Sequence, residues 1–187
     1  MMQKEPENIL QIREFLDLMS AGLKRSEVIV KQLMAFPRPY STHMSNHRIN
    51  EIVENSLRFV GHRIKECGVR LEKELSLDLP EIYGDADNIS QVIINIIVNA
   101  LDSMSGGGNL TIKTGYCYFH PSSIQVAIAD TGSGIPEEIL SKIFNPFFTT
   151  KEMGSGLGLA ISKRIIDDHN GNIVVKNNPG EGTIFYV

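Results

Sequence analysis

Apolar residues recur along the chain at two periods, and the switches between them divide it into elements. From Ile9 to Leu33 the spacing alternates between three and four residues, through Ile9, Ile12, Leu16, Met19, Leu23, Ser26, Val30 and Leu33. Seven of these eight positions are apolar. That is the seam of a coiled-coil-like helix, which needs a neighbouring helix or a second copy of the chain to cover it. Pro6 suits a first helical turn, and Pro37 with Pro39 ends the run. Ile52, Val53, Leu57, Val60 and Ile64 mark a second amphipathic helix over Ile49–Glu66, closed by Gly68. Val69–Leu75 alternates as a strand. A third helix is expected from a cap at Asp87 or Asn88 through Gln91 to Met104. After the loop Gly106-Gly-Gly108, Leu110–Tyr118 and Ile124–Ala129 read as neighbouring strands. Leu157, Leu159, Ile161, Ile165 and Ile166 share one face of a further helix, stopped at Asn170-Gly171. Ile173–Val175 and Thr183–Val187 are two more strands, joined by Asn178-Pro-Gly-Glu-Gly182. The final residue falls inside a strand pattern, which predicts that the chain was cut near its end.

Composition narrows the class without naming it. The 187 residues, 42% hydrophobic and 21% charged, suffice for one core-bearing domain plus an appendage. A net charge of -4 argues against a nucleic-acid surface, which needs clustered Lys and Arg. Cys67 and Cys117 lie far apart with no metal-type spacing, so buried, reduced thiols are expected. No stretch reaches the roughly 18 apolar residues of a membrane span, and no signal peptide is evident. The expectation is a cytoplasmic, soluble chain without membrane contact.

Two glycine-rich runs carry the chemistry: Asp130-Thr-Gly-Ser-Gly-Ile-Pro136 and Gly154-Ser-Gly-Leu-Gly158. The first follows a strand, and a strand that ends in Asp and turns through Gly132 and Gly134 brings bare backbone up to a ligand. The second opens a helix, whose free N–H groups and dipole suit phosphate. A carboxylate for a base edge beside an amide nest for phosphates suggests a nucleotide. On the third helix Asn95 and Asn99 are four apart, with Asp102 one turn on, a stripe whose oxygens suit Mg²⁺. On this helix alone, a surface bonded to neighbouring backbone is the preferred explanation of the same stripe. Between the glycine runs lies Ile143-Phe-Asn-Pro-Phe-Phe-Thr-Thr-Lys151, whose aromatics anchor a loop and whose lysine can reach a phosphate. Thr183 reaches the ligand edge used by Asp130 if their two strands are adjacent; as plain β-branched filler it would need no ligand.

In this order the four pieces resemble the ATP-binding catalytic domain of bacterial two-component sensor histidine kinases, within the gyrase–chaperone–histidine kinase ATPase superfamily (Bergerat fold). Asn95–Asp102 is similar to the N box, Asp130–Ile135 to G1, Ile143–Lys151 to the F box and Gly154–Leu159 to G2. Asn-Pro-Phe-Phe-Thr-Thr-Lys151, with only Glu152-Met153 before the G2 glycines, resembles the nitrogen-regulation-type subclass. The resemblance implies an α+β fold, a two-layer sandwich of a mixed, mostly antiparallel sheet on three helices, preceded by the long helix. It implies that Asp130 bonds the adenine amino group, with Thr183 nearby through water. Asn99 with Asn95 would hold Mg²⁺; Lys151 and the backbone of Ser155, Gly156, Leu157 and Gly158 would bind phosphates; Ile135 and Leu159 would wall the pocket. Thr149–Gly154 would be the lid over ATP. Hydrolytic relatives carry a Glu where this chain has Asn95, and an amide cannot take a proton from water. Transfer to a protein side chain is therefore favoured over hydrolysis, with Asn95, Asn99 and Lys151 as the catalytic set.

A kinase of this kind modifies a His in a sequence like His-Glu-x-x-x-Pro, and this chain contains none. Lys24–Pro39 resembles the end of the second helix of the dimerisation hairpin. Residues 1–40 are thus expected to be half of that hairpin, its acceptor helix upstream and absent, and residues 41–187 the catalytic domain. The intact protein would form a homodimer through the hairpin and pass phosphate to a response regulator. Two other readings stay open: an anti-sigma-type serine kinase, and a non-enzymatic dimerisation partner.

Overall fold

The computed structural model describes residues 11–13, 15, 16, 19, 43–118, 120, 122–151, 154–178 and 182–187. These fall into two compact units, one of 1–40 with Thr149–Ser155, the other of Ser41–Phe148 with Gly156–Val187. In the first, Ile12, Leu16 and Met19 are helical and exposed. The remaining seam positions and all of Lys24–Pro39, with Pro37 and Pro39, lie outside the described residues.

The second unit contains seven strands and four helices among its described residues. Strands β1 (Ser45–His47) and β3 (Ile82–Gly84) form an antiparallel pair. Strands β2 (Val69–Leu75), β4 (Gly108–Tyr116), β5 (Ile124–Asp130), β6 (Val174–Asn178) and β7 (Gly182–Tyr186) form a sheet of order β2-β4-β5-β7-β6. Only β2 and β4 run parallel; every other pairing in that sheet is antiparallel. Parallel neighbours need a crossover, and helix α2 (Ala86–Ser103) supplies it. The other helices are α1 (Ile49–Glu66), α3 (Glu137–Leu140) and α4 (Gly158–Asp168). No helix among the described residues is long and apolar enough to cross a membrane.

Alternation along the strands decides which face is covered. Leu110 and Ile112 of β4, Val126 and Ile128 of β5 and Phe185 of β7 are buried, and so are Val92, Ile93, Ile96 and Ile97 of α2. Burial of each such side chain contributes about 1.5–3 kcal/mol relative to exposure. Helix α2 packs against α1, α4 and β5, so a polar group on its packed faces lies against a neighbouring element, whereas Asp87, Gln91 and Asp102 are exposed. That placement matters for Asn95 and Asn99.

Helix α1 and strand β2 have the expected bounds, and Gly68 ends α1 at a φ of +64°. Strand β6 runs on to Asn178, past the expected end at Val175 and into the expected linker, and three further details differ. Helix α2 is capped by Asp85, whose carboxylate accepts the Asn88 N–H at 3.0 Å. Its extended backbone (φ -94°, ψ 110°) leaves that oxygen over the third helical N–H, while Asp87 and Asn88 already lie inside the helix. The β1–β3 pair and α3 were not anticipated, because three or four residues are too few for a period to register. Cys67 and Cys117 are free thiols but half-buried rather than buried, since both sit just past the end of an element, at α1 and β4.

Candidate functional site

Asp130 ends β5, and the chain turns immediately through Gly132. The Asp130 carboxylate accepts the Gly132 N–H at 2.8 Å and lies 3.3 Å from the Ser103 hydroxyl of α2. A β-carbon on Gly132 would overlap Ser103, so only glycine lets the turn close against the helix. Asp130 is 7% exposed and Thr183 4% exposed. The two strands are adjacent, with Ala129 opposite Ile184 in register, which meets the condition set for Thr183. Burial pushes the Asp130 carboxyl above the usual aspartate range; bonds from the Gly132 N–H, the Ser103 hydroxyl and the Thr183 N–H oppose it. A β-carbon on Gly182 would overlap the Asp130 carbonyl, and Gly182 itself has a φ of +107°. Glycine alone satisfies both demands.

Beyond the turn, Gly134 adopts a φ of +71° and delivers Ile135 to strand β6. There the Asn177 side chain brackets the Ile135 peptide. Its Oδ1 accepts the Ile135 N–H, its Nδ2 donates to the Ile135 carbonyl, and the Thr183 hydroxyl lies 3.5 Å from Oδ1.

On α2 the Asn95 amide donates to the Ser162 hydroxyl of α4 at 2.9 Å. A β-carbon on Gly158 would overlap Asn95 Oδ1, so the first turn of α4 is seated on this amide. Asn99 is half-buried one helical turn away. Asp102, by contrast, accepts Arg63 of α1 at 2.5 Å. Leu157 is fully buried at the head of α4, while Leu159 and Ile135 are half-buried. In the aromatic run Ile143 is buried and Phe147 exposed. Phe147 has a φ of 67°, and a β-carbon on Gly156 would overlap its backbone. Phe147 and Gly156 therefore fit together backbone to backbone.

Lys151, Gly154 and Ser155 belong to the other compact unit. Within it the Lys151 N–H donates to the Thr149 hydroxyl at 3.1 Å, and the Gly154 N–H to the Lys151 carbonyl at 3.1 Å.

Three residues of the site escaped the sequence reading: Ser103, Ser162 and Asn177. Ser103 lies four after Asn99, so the same spacing that joined Asn95 to Asn99 pointed to it. Ser162 lies one turn inside α4 from Gly158. Nothing in the strand pattern distinguished Asn177 from its neighbour Asn178.

The donor set fits a magnesium ion brought by phosphate. Asn95 and Asn99 offer neutral amide oxygens, and among the described residues no group of three or more His, Cys, Asp or Glu gathers to hold a metal. Mg²⁺ takes few protein oxygens and completes its shell with phosphate and water.

The family model described as histidine kinase-, DNA gyrase B-, and HSP90-like ATPase matches residues 84–187. The chain is 35% identical over 173 residues to the signal transduction histidine-protein kinase AtoS of Escherichia coli (strain K12), covering 92% of this chain and 28% of that protein. Among solved structures, the catalytic domain of histidine kinase ThkA is similar with a TM-score of 0.69 at 30% identity, covering 77% of this chain and 93% of that one. ThkA in complex with the response regulator protein TrrA matches with a TM-score of 0.75 at 26% identity, over 100% of this chain and 52% of that one. The chain spans less than half the length of the curated relatives it matches.

Proposed function

The chain belongs to the family of histidine kinase-, DNA gyrase B- and HSP90-like ATPases, and from that premise we propose that it is the ATP-binding catalytic part of a sensor histidine kinase. It transfers the γ-phosphoryl group of ATP to a histidine of a dimerisation helix that is not in this sequence. The observation that carries the reading is the Asp130 carboxylate. It is buried, held through Oδ1 by Gly132 and Ser103, and flanked by Thr183. A carboxylate fixed in this way is an acceptor for the exocyclic amino group of adenine. Guanine offers a carbonyl at that position and is refused.

The remaining residues follow from that anchor. Ile135 and Leu159 line the base and ribose. Asn95 and Asn99 on α2 and the backbone of Gly156, Leu157 and Gly158 at the head of α4 face the phosphates, while Asp102 is taken up by Arg63 of α1. Lys151, Gly154 and Ser155 take a phosphate role from their residue types and spacing. Mg²⁺, held by Asn99 with Asn95, would neutralise charge on the phosphates. Asn95 has no basic oxygen to accept a proton from water, and its amide is committed to Ser162. The bound γ-phosphoryl thus awaits a positioned nucleophile: a histidine nitrogen forms the new P–N bond as the bond to the β-phosphate oxygen breaks and ADP leaves. The response regulator seen with ThkA supports a receiver domain as the next acceptor. Homodimerisation through residues 1–40, with 41–187 as the catalytic domain, and a cytoplasmic setting belong to the same proposal.

Titration with ATP and with GTP, each with and without Mg²⁺, tests the nucleotide assignment. Mg²⁺-dependent binding of ATP over GTP is expected; equal binding of both would refute the role given to Asp130.

A further inference from the structure

We propose that Asn177 is a positioning residue for the nucleotide base, acting through Ile135. It pairs with both backbone polar groups of one residue: Oδ1 accepts the Ile135 N–H and Nδ2 donates to the Ile135 carbonyl. A side-chain amide presents a donor and an acceptor in one planar fork. The same Oδ1 lies 3.5 Å from the Thr183 hydroxyl, and Thr183 is the direct partner of Asn177 across the β6–β7 ladder. One side chain therefore joins the loop after Asp130 to the strand that flanks Asp130. Without it, Ile135 follows a glycine in the left-handed region (Gly134, φ +71°), so the loop loses its fixed exit. Asn177 acts only through the wall that Ile135 forms and touches no nucleotide itself.

The inference rests on the nucleotide reading above and adds a distinction within it: the loop serves the base and not the phosphates. In Asn177→Ala both bonds go. In Asn177→Asp the acceptor remains, but the second oxygen meets the Ile135 carbonyl and repels it. A tenfold change in affinity is about 1.4 kcal/mol, which lies within the combined net strength of the two lost bonds.

The test compares three proteins binding ATP, adenosine and inorganic tripolyphosphate: the wild type, Asn177→Ala and Asn177→Asp. Thr114→Val serves as a stability control. Thr114 is buried and bonded to Asn50 and to the Ser76 N–H. It lies four residues, about 13 Å, along β4 from the partner of Asp130. The expected result is that both Asn177 variants weaken ATP and adenosine about tenfold and leave tripolyphosphate unchanged, while Thr114→Val lowers the melting temperature without changing any of the three. Equal weakening of tripolyphosphate, or the same loss in Thr114→Val, would overturn the assignment, because Asn177 would then be merely structural. Unchanged ATP affinity in both Asn177 variants would overturn it alone. A wild type that binds no adenine nucleotide would overturn the nucleotide reading, and this inference with it.

Discussion

The Asn95 amide donates to the Ser162 hydroxyl at 2.9 Å, which ties the helix bearing the two asparagines to the helix that begins with the second glycine-rich run. Ser162 is almost fully buried, so its hydroxyl has no water as an alternative partner. Breaking the pair leaves one buried polar group unsatisfied, at about 1–3 kcal/mol. Asn95→Ala and Ser162→Ala should each lower stability by that amount. The double variant should cost less than their sum, because the shared bond is lost only once. Denaturant unfolding of the four proteins measures the coupling, and strict additivity would show that the bond contributes nothing.

Gly158→Ala is a steric experiment on the same contact. A β-carbon there would overlap Asn95 Oδ1, and a well-packed site charges about 1–3 kcal/mol for an added methyl. The variant should melt at lower temperature and bind ATP at least tenfold more weakly, since the amide and the phosphate-facing turn both move. A calorimetric titration with Mg-ATP reads the second effect. Wild-type affinity would mean that the head of α4 does not meet the phosphates.

Asp130 predicts an unusual pH dependence. Burial raises its folded pKa above the unfolded value, so the folded state holds the proton more tightly. The stabilisation from this group is complete below the unfolded pKa and is lost as pH rises through the folded pKa. Asp130→Asn removes the titration. It should therefore flatten the stability curve between those two pKa values and leave the neutral-pH protein at least as stable as wild type. ATP affinity should fall about ten- to hundredfold in the variant, because an amide nitrogen would face the adenine amino group. In the wild type the affinity should also decline with acidification, starting above the ordinary aspartate range. Melting curves and titrations across the acid range test both; a wild type whose acid profile matches that of the variant would contradict the assignment.

Asp102 should respond least among the acidic and amide residues of α2. Its carboxylate is paired with Arg63 across the surface of α1, and exposed pairs contribute about 0–1 kcal/mol. Asp102→Asn should alter stability by no more than that and ATP affinity by less than about twofold. A tenfold loss would show that the carboxylate leaves Arg63 when nucleotide binds.

Much of this was legible in the sequence, because long periodic elements leave long records. Helix α1, strand β2 and the stop at Asn170-Gly171 needed only apolar spacing and end residues. At that stop Asn170 takes a φ of 57°, the Gly171 N–H donates to the Ile166 carbonyl and the Asn170 N–H to the Asp167 carbonyl. Gly132 was legible as a point of close approach and Gly158 as part of a helix start, but not the side chains that pack against them. The partners, Ser103 and Asn95, come from a helix remote in sequence, and periodicity carries no distances between elements. Asn177 was invisible for the same reason, since its partner is a backbone peptide 42 residues away. The cap at Asp85 was hidden among three candidates within four residues, which backbone conformation alone separates.

The most direct test of the central claim is transfer of labelled γ-phosphate from Mg-ATP to a separately supplied dimerisation hairpin bearing the acceptor histidine, using this chain and its Asn99→Ala variant. Acid-labile label on the hairpin with the wild-type chain, absent with Asn99→Ala, is the predicted result. ATP bound by the wild type with no label on the hairpin, or label that persists in Asn99→Ala, would contradict it.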